Sequence, residues 1–134
     1  MQAMEAAALA AAVEQVGDRW LLRIVHALLA GPRRFGELQT ELGVAPNVLT
    51  QRLGALSADG LVVAEPYQER PRRHTYVLTE RGRDLGGVLR LLAAWQADEL
   101  GPRHPACGTP LQAHWWCPTC ERLAEDPAGA VVHL

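Results

Sequence analysis

The stretch TELGVAPNVLTQRLGAL, residues 40–56, constrains the fold more than any other part of the chain. Two short amphipathic segments meet in it. In RRFGELQTELG, Phe35, Leu38 and Leu42 recur at spacings of three and four, the period of a helix with one apolar stripe, and Gly43 closes it. Val44 and Ala45 leave room for a tight turn, and Pro46 suits the first turn of a second helix, where no backbone N–H is needed. Leu49, Leu53 and Leu56 give that helix its apolar side. Asn47, Thr50, Gln51 and Gly54 stand at i, i+3, i+4 and i+7, so they share the other face.

The flanking segments complete the pattern. Residues 5–16 have high helix propensity, and Gly17 interrupts them. Asp18 can cap the next helix, RWLLRIVHALLAG, which carries Trp20, Leu21, Ile24 and Leu28 on one stripe and stops at Gly31. After the pair described above, Gly60 fits a left-handed helix end. The texture then turns to strand: LVVAEPY and HTYVLT are rich in β-branched and aromatic residues, and QERPRR lies between them. Thr79 caps a long helix over residues 80–100, which Gly101 and Pro102 end. The predicted order is four helices, a hairpin and a fifth helix. That is a mainly α fold with a small β-hairpin wing (α+β), a winged helix-turn-helix, over residues 1–101. Residues 102–134 form a short C-terminal zinc-knuckle-like tail.

This order gives the polar helix face a use. In a winged helix-turn-helix the second short helix enters the major groove of DNA, N-terminal end first. Asn and Gln side chains pair bidentately with adenine, and Arg pairs with guanine. The candidate DNA-binding residues are Arg34, Pro46, Asn47, Thr50, Gln51 and Arg52, with Arg70, Arg72 and Arg73 on the hairpin tip for phosphate or minor-groove contacts. Gly54 lets a duplex backbone approach closely. A solvated polar face is the plain alternative for one helix alone. The joint order of helix, glycine turn, helix, strand, basic loop and strand favours the DNA reading. A winged helix that binds a protein and not DNA is the second reading, and the steep salt dependence of phosphate contacts separates the two.

The same residues carry a resemblance. Gly17-Asp18-Arg19-Trp20, Phe35-Gly36-Glu37-Leu38, and Tyr67 through Arg72 followed by Tyr76, Leu78, Thr79 and Gly82 resemble the HxlR-type bacterial winged-helix transcription regulators, related to the MarR type, over residues 16–95. The resemblance implies a homodimer, assembled through the N-terminal and long C-terminal helices, that binds an inverted repeat in double-stranded DNA near a promoter, as a repressor. The long helix agrees: it is apolar along more than one stripe, and Gly86 and Gly87 each cost about 1 kcal/mol in a helix interior, as close helix approach would require. A purely intramolecular core helix is the alternative. The chain departs from the resemblance at Ala7, where many relatives carry a redox-sensing Cys, so thiol switching at that helix is excluded. A small-molecule effector in a cavity lined by Trp20 and Trp95 is the remaining input; plain core packing is the alternative for these two residues.

The tail, residues 103–134, has no strong period and holds all three Cys and four of the nine Pro. His104-x2-Cys107 and Cys117-x2-Cys120 are separated by nine residues. Each half has the form of a metal knuckle, and two knuckles supply the four ligands of a tetrahedral structural zinc. The expected ligands are therefore His104, Cys107, Cys117 and Cys120, with His114 as the rival histidine. Glu121 stands where such a knuckle usually has Gly. An empty, degenerate knuckle and a reversibly oxidised Cys117–Cys120 pair are the alternatives.

The totals exclude several classes. A hydrophobic fraction of 49% supports a real core. Net charge is -2, but residues 31–90 hold nine Arg against seven acids and residues 91–134 two Arg against five, so the basic character is local. All 13 fixed cations are Arg. There is no nucleophile–base pair, phosphate loop or paired-carboxylate motif, which argues against an enzyme, and His26 reads as packing. The Ala-rich start lacks a basic region and carries Glu5, and no apolar run nears the roughly 18 residues of a membrane span. The expectation is a cytoplasmic chain without membrane partners.

Overall fold

The computed structural model describes residues 2–97 and 103–124. Helices α1 (Gln2–Val16), α2 (Leu21–Leu29), α3 (Phe35–Leu42) and α4 (Pro46–Ala58) are followed by strands β2 (Val62–Glu69) and β3 (Arg72–Leu78) and helix α5 (Glu80–Ala97). A two-residue strand, β1 (Arg33–Arg34), precedes α3, and β4 (Trp115–Cys117) and β5 (Arg122–Ala124) follow α5. The chain divides into two compact units, Met1–Gly86 and Gly87–Leu134. The expected helix stop at Gly101 and Pro102 lies outside the described residues.

In the first unit, α2, α3 and α4 close over a core that includes Ile24, Val25, Leu38, Leu49 and Leu56, each at most 1% exposed. Their spacings of three and four put one apolar stripe per helix inward. No polar or charged side chain is buried among the described residues. The hairpin caps this core with Val62 and Leu78, which face each other in register.

Chain reversals fall where the glycines are. Gly43 ends α3 at φ +64°, donating its N–H to the Gln39 carbonyl at 2.9 Å. Gly60 ends α4 at φ +71°, and Leu61 N–H reaches the Leu56 carbonyl at 2.9 Å. Both conformations are ones that side chains with a Cβ rarely adopt. Thr79 works twice at the start of α5: its Oγ1 accepts from Gly82 N–H at 3.1 Å and donates to the Gly60 carbonyl at 2.6 Å. Gly82 is needed for a steric reason, because a Cβ there would collide with the Leu61 carbonyl oxygen.

The structure differs from the sequence reading at three places. The sheet has three antiparallel strands, in order β1-β3-β2, because Arg33 and Arg34 pair with Tyr76 and Thr75. The strands of the hairpin run further than expected, so most of QERPRR is paired, and Arg70-Pro71, a cis peptide, makes the tip. Asp18 does not cap α2 at its first turn. The helix starts at Leu21 after Trp20, and Asp18 Oδ1 accepts the Trp20 N–H at 2.8 Å, a local turn before the helix.

Candidate nucleic-acid interface

The geometry of α4 follows from its two faces. Leu49, Leu53 and Leu56 are at most 3% exposed, which fixes the rotation of the helix about its axis. Asn47, Thr50, Gln51 and Gly54 are then exposed together on the outer side. Pro46 occupies the first helical turn and is exposed too. Thr50 Oγ1 donates to the Pro46 carbonyl at 2.9 Å, so its hydroxyl offers lone pairs outward. Nothing lies within 4 Å of where a Cβ on Gly54 would stand.

Arg52 has a different place. Its Nε is 3.0 Å from Asp18 Oδ1, and both side chains are about a third exposed, so this guanidinium ties α4 to the turn before α2. The Trp20 N–H, then the Arg52 guanidinium, hold the Asp18 carboxyl below its usual range.

The wing adds cations beside α3. Arg34 lies over the Tyr67 ring at 4.4 Å from its centroid and 3.8 Å from Glu37 Oε1. Arg34, Tyr67, Arg73, His74 and Tyr76, with Phe35, Gly36 and Glu37, line an open cleft of about 480 Å³ between the start of α3 and the hairpin. Arg73 is exposed, as is Arg70, which keeps a partner within the chain. Arg72 pairs its backbone with Glu69 in register, and its side chain lies outside the described residues. Tyr67, His74 and Tyr76 were not expected in this site. Their signal was faint: Tyr67 falls at the irregularity between Pro66 and Gln68, which breaks the two-residue alternation of the strand.

The two expected effector residues are placed as follows. Trp20 is half-buried, with Arg19 and Arg23 over its ring at 5.0 and 4.8 Å. Trp95 is exposed on α5, where Val88, Leu91, Leu92 and Trp95 recur at i, i+3, i+4 and i+7 and range from 39% to 74% exposed.

In the tail, His104 Nδ1 stands 3.4 Å from Cys107 Sγ, and the Cys120 N–H points to Cys117 Sγ at 3.5 Å. His114 Nε2 is engaged with Gln112 Oε1 at 3.2 Å. Donors from Thr109 hold the Cys107 thiol below its usual range, and donors from Cys120 and then Thr119 do the same for Cys117. Among the described residues, no three His, Cys, Asp or Glu side chains are gathered as a metal cluster.

A buried leucine stripe that presents a polar helix face, beside a wing with cations, defines a winged helix-turn-helix DNA-binding transcription regulator. Known proteins agree. Residues 15–104 match the model of the HxlR-like helix-turn-helix family, and the chain belongs to that family. It is 39% identical over 117 residues to the uncharacterized HTH-type transcriptional regulator Rv3095 of Mycobacterium tuberculosis, covering 81% of this chain and 74% of that one. Among solved structures, reduced YodB of Bacillus subtilis, a transcriptional regulator, superposes with a TM-score of 0.59 at 31% identity, over 66% of this chain and 87% of that one. A candidate transcription factor of Pseudomonas aeruginosa, PA1374, superposes with a TM-score of 0.65 at 34% identity, over 84% of this chain and 82% of that one. The family is one of helix-turn-helix proteins, and these relatives are named as transcription regulators or factors. Among the described residues no helix is long and apolar enough to cross a membrane.

Proposed function

We propose that the protein is a homodimeric repressor that reads an inverted repeat through α4 and steadies the duplex with its wing, in the cytoplasm. The observation that carries the reading is the outer face of α4. Asn47, Thr50 and Gln51 are exposed beside the bare Gly54, while leucines hold the opposite face in the core. Asn47 and Gln51 are the base-reading side chains. Arg34, Arg70, Arg72 and Arg73 serve the phosphates, and Arg52 acts indirectly, by holding the helix to Asp18.

Exposed apolar side chains on two helices support the dimer. Met4, Leu9 and Val13 of α1 are each more than half exposed, and the stripe from Val88 to Trp95 on α5 faces solvent. A contiguous apolar stripe such as the one on α5 marks an interaction surface. A dimer whose two reading helices lie about one helical turn apart covers enough promoter to block it. The solved quinone-bound form of YodB supports response to a small molecule, and Trp20 and Trp95 are the intrinsic reporters for it.

The test is selection of duplexes from a randomised pool by the purified chain. The expected result is an inverted repeat with half-sites about one turn apart, bound by a species of twice the chain mass in sedimentation. Enrichment of nothing, together with capture of a protein partner by the α4 face, would overturn the reading. Transcription in vitro from a promoter carrying the selected repeat should fall as protein is added, and a rise would reverse the assigned sign.

A further inference from the structure

The described part of the tail folds without a core. Residues 103–124 form two turns in sequence, yet none of them is buried, and Trp115, Trp116 and Leu123 are each 58% or more exposed. Structures this small do not hold their shape by apolar burial and need a disulfide or a metal. The three Cys are free. A Cys117–Cys120 disulfide would leave Cys107 and His104 without a purpose.

The two turns are built alike. The first is closed by His104 N–H to the Thr109 carbonyl and Gly108 N–H to the His104 carbonyl, both 2.8 Å, with Arg103 bridged to Pro110. The second is closed by pairing of β4 with β5, Cys117 facing Arg122. In each, the residue after the second of the paired side chains takes a positive φ: Gly108 at +70° and Glu121 at +52°. For Glu121 this is a conformation that a side chain resists, held because the turn demands it. Glu121 thus does the work of the glycine that the sequence lacks there.

The spacing inside the first turn is that of metal ligands. Nitrogen and sulfur at about 2.1 and 2.3 Å from one tetrahedral zinc stand about 3.6 Å apart. His104 Nδ1 and Cys107 Sγ are 3.4 Å apart. In the second turn the Cys120 N–H is directed at Cys117 Sγ at 3.5 Å, the backbone contact that a ligating sulfur on a tight turn accepts. His114 is occupied by Gln112, which leaves His104 as the nitrogen donor.

We propose that the tail is a structural zinc site in which His104, through Nδ1, Cys107, Cys117 and Cys120 bind one ion that draws the two turns together. The nine residues between Cys107 and Cys117 are ample to let the turns meet. Four protein ligands leave no open position, so the site orders the tail and performs no chemistry.

Mass spectrometry of the full chain under native conditions, with elemental analysis of the same sample, tests this. The expected result is one zinc per chain, kept in His114→Ala and lost in His104→Ala and in the Cys117→Ser/Cys120→Ser double variant. Helical circular dichroism of each variant checks that the rest remains folded. A second measurement needs no variant: zinc should protect all three thiols from alkylation until a chelator is added. Apo mass alone in excess zinc, zinc retained by the double serine variant, or thiols equally reactive with and without the ion would each overturn the proposal.

Discussion

Asp18 ties α4 to the turn before α2. Its carboxylate accepts the Trp20 N–H and pairs with Arg52 on α4. Both interactions favour the ionised form, so the folded-state pKa is depressed. A depressed carboxylate stabilises the fold above its unfolded pKa, near ~3.9, and that contribution fades as pH falls through the folded value. Asp18→Asn should therefore melt below the parent at pH 7, and the gap should begin to narrow near about pH 4 and close only as pH falls past the depressed folded-state value. A gap that persists into acid would mean that the ion pair is not its source. On the outer face of the same helix, Gln51→Ala should relax preference at one base position by about 1–3 kcal/mol, whereas Arg73→Ala should weaken all duplexes alike and lower the salt slope by about 1. Competition binding against single-base variants of the selected repeat, repeated at several salt concentrations, separates these outcomes. The sequence showed Asn47, Thr50 and Gln51 as a face because helical period alone groups them. It did not show the tie of Arg52 to Asp18, since the partners lie on different helices and no period links them.

At the scale of elements, the two short helices and the wing were legible because leucines, glycines and β-branched residues mark them on independent grounds. Strand β1 was not, since two residues carry no period and exist as a strand only through pairing with β3. The cleft beside it was hidden for the same reason: Arg34 comes to Tyr67 only once β1 has joined the sheet. Glycines give this scale two contrasting tests. Gly82→Ala drives a methyl into the Leu61 carbonyl and should destabilise by about 1–3 kcal/mol, a drop of several degrees in Tm. Gly87 faces open space among the described residues. Alanine there should improve the isolated helix by about 1 kcal/mol. If a partner helix rests on that bare backbone, Gly87→Ala should loosen the dimer in sedimentation while leaving helix content intact. A higher Tm with an unchanged dimer would place the partner contact elsewhere.

For the whole molecule, charge sorting matters more than net charge. The chain is -2 overall, yet residues 31–90 carry an excess of Arg. Operator affinity should fall steeply between low and physiological salt, with a log–log slope near one per phosphate neutralised. A flat response would mean that the α4 face meets a protein. The family was legible from order and motif together, and the two turns of the tail from their His and Cys spacing, whereas the pairing of β4 with β5 was not, because three-residue strands leave no apolar rhythm.

The exposed apolar side chains of α1 and α5 carry a quantitative consequence. If two chains must meet before either grips its half-site, operator occupancy rises with the square of chain concentration while monomers prevail. A halving of expression then removes about three-quarters of the bound regulator, and the affinity between the two chains becomes the threshold at which the cell registers a change in the regulator's own abundance.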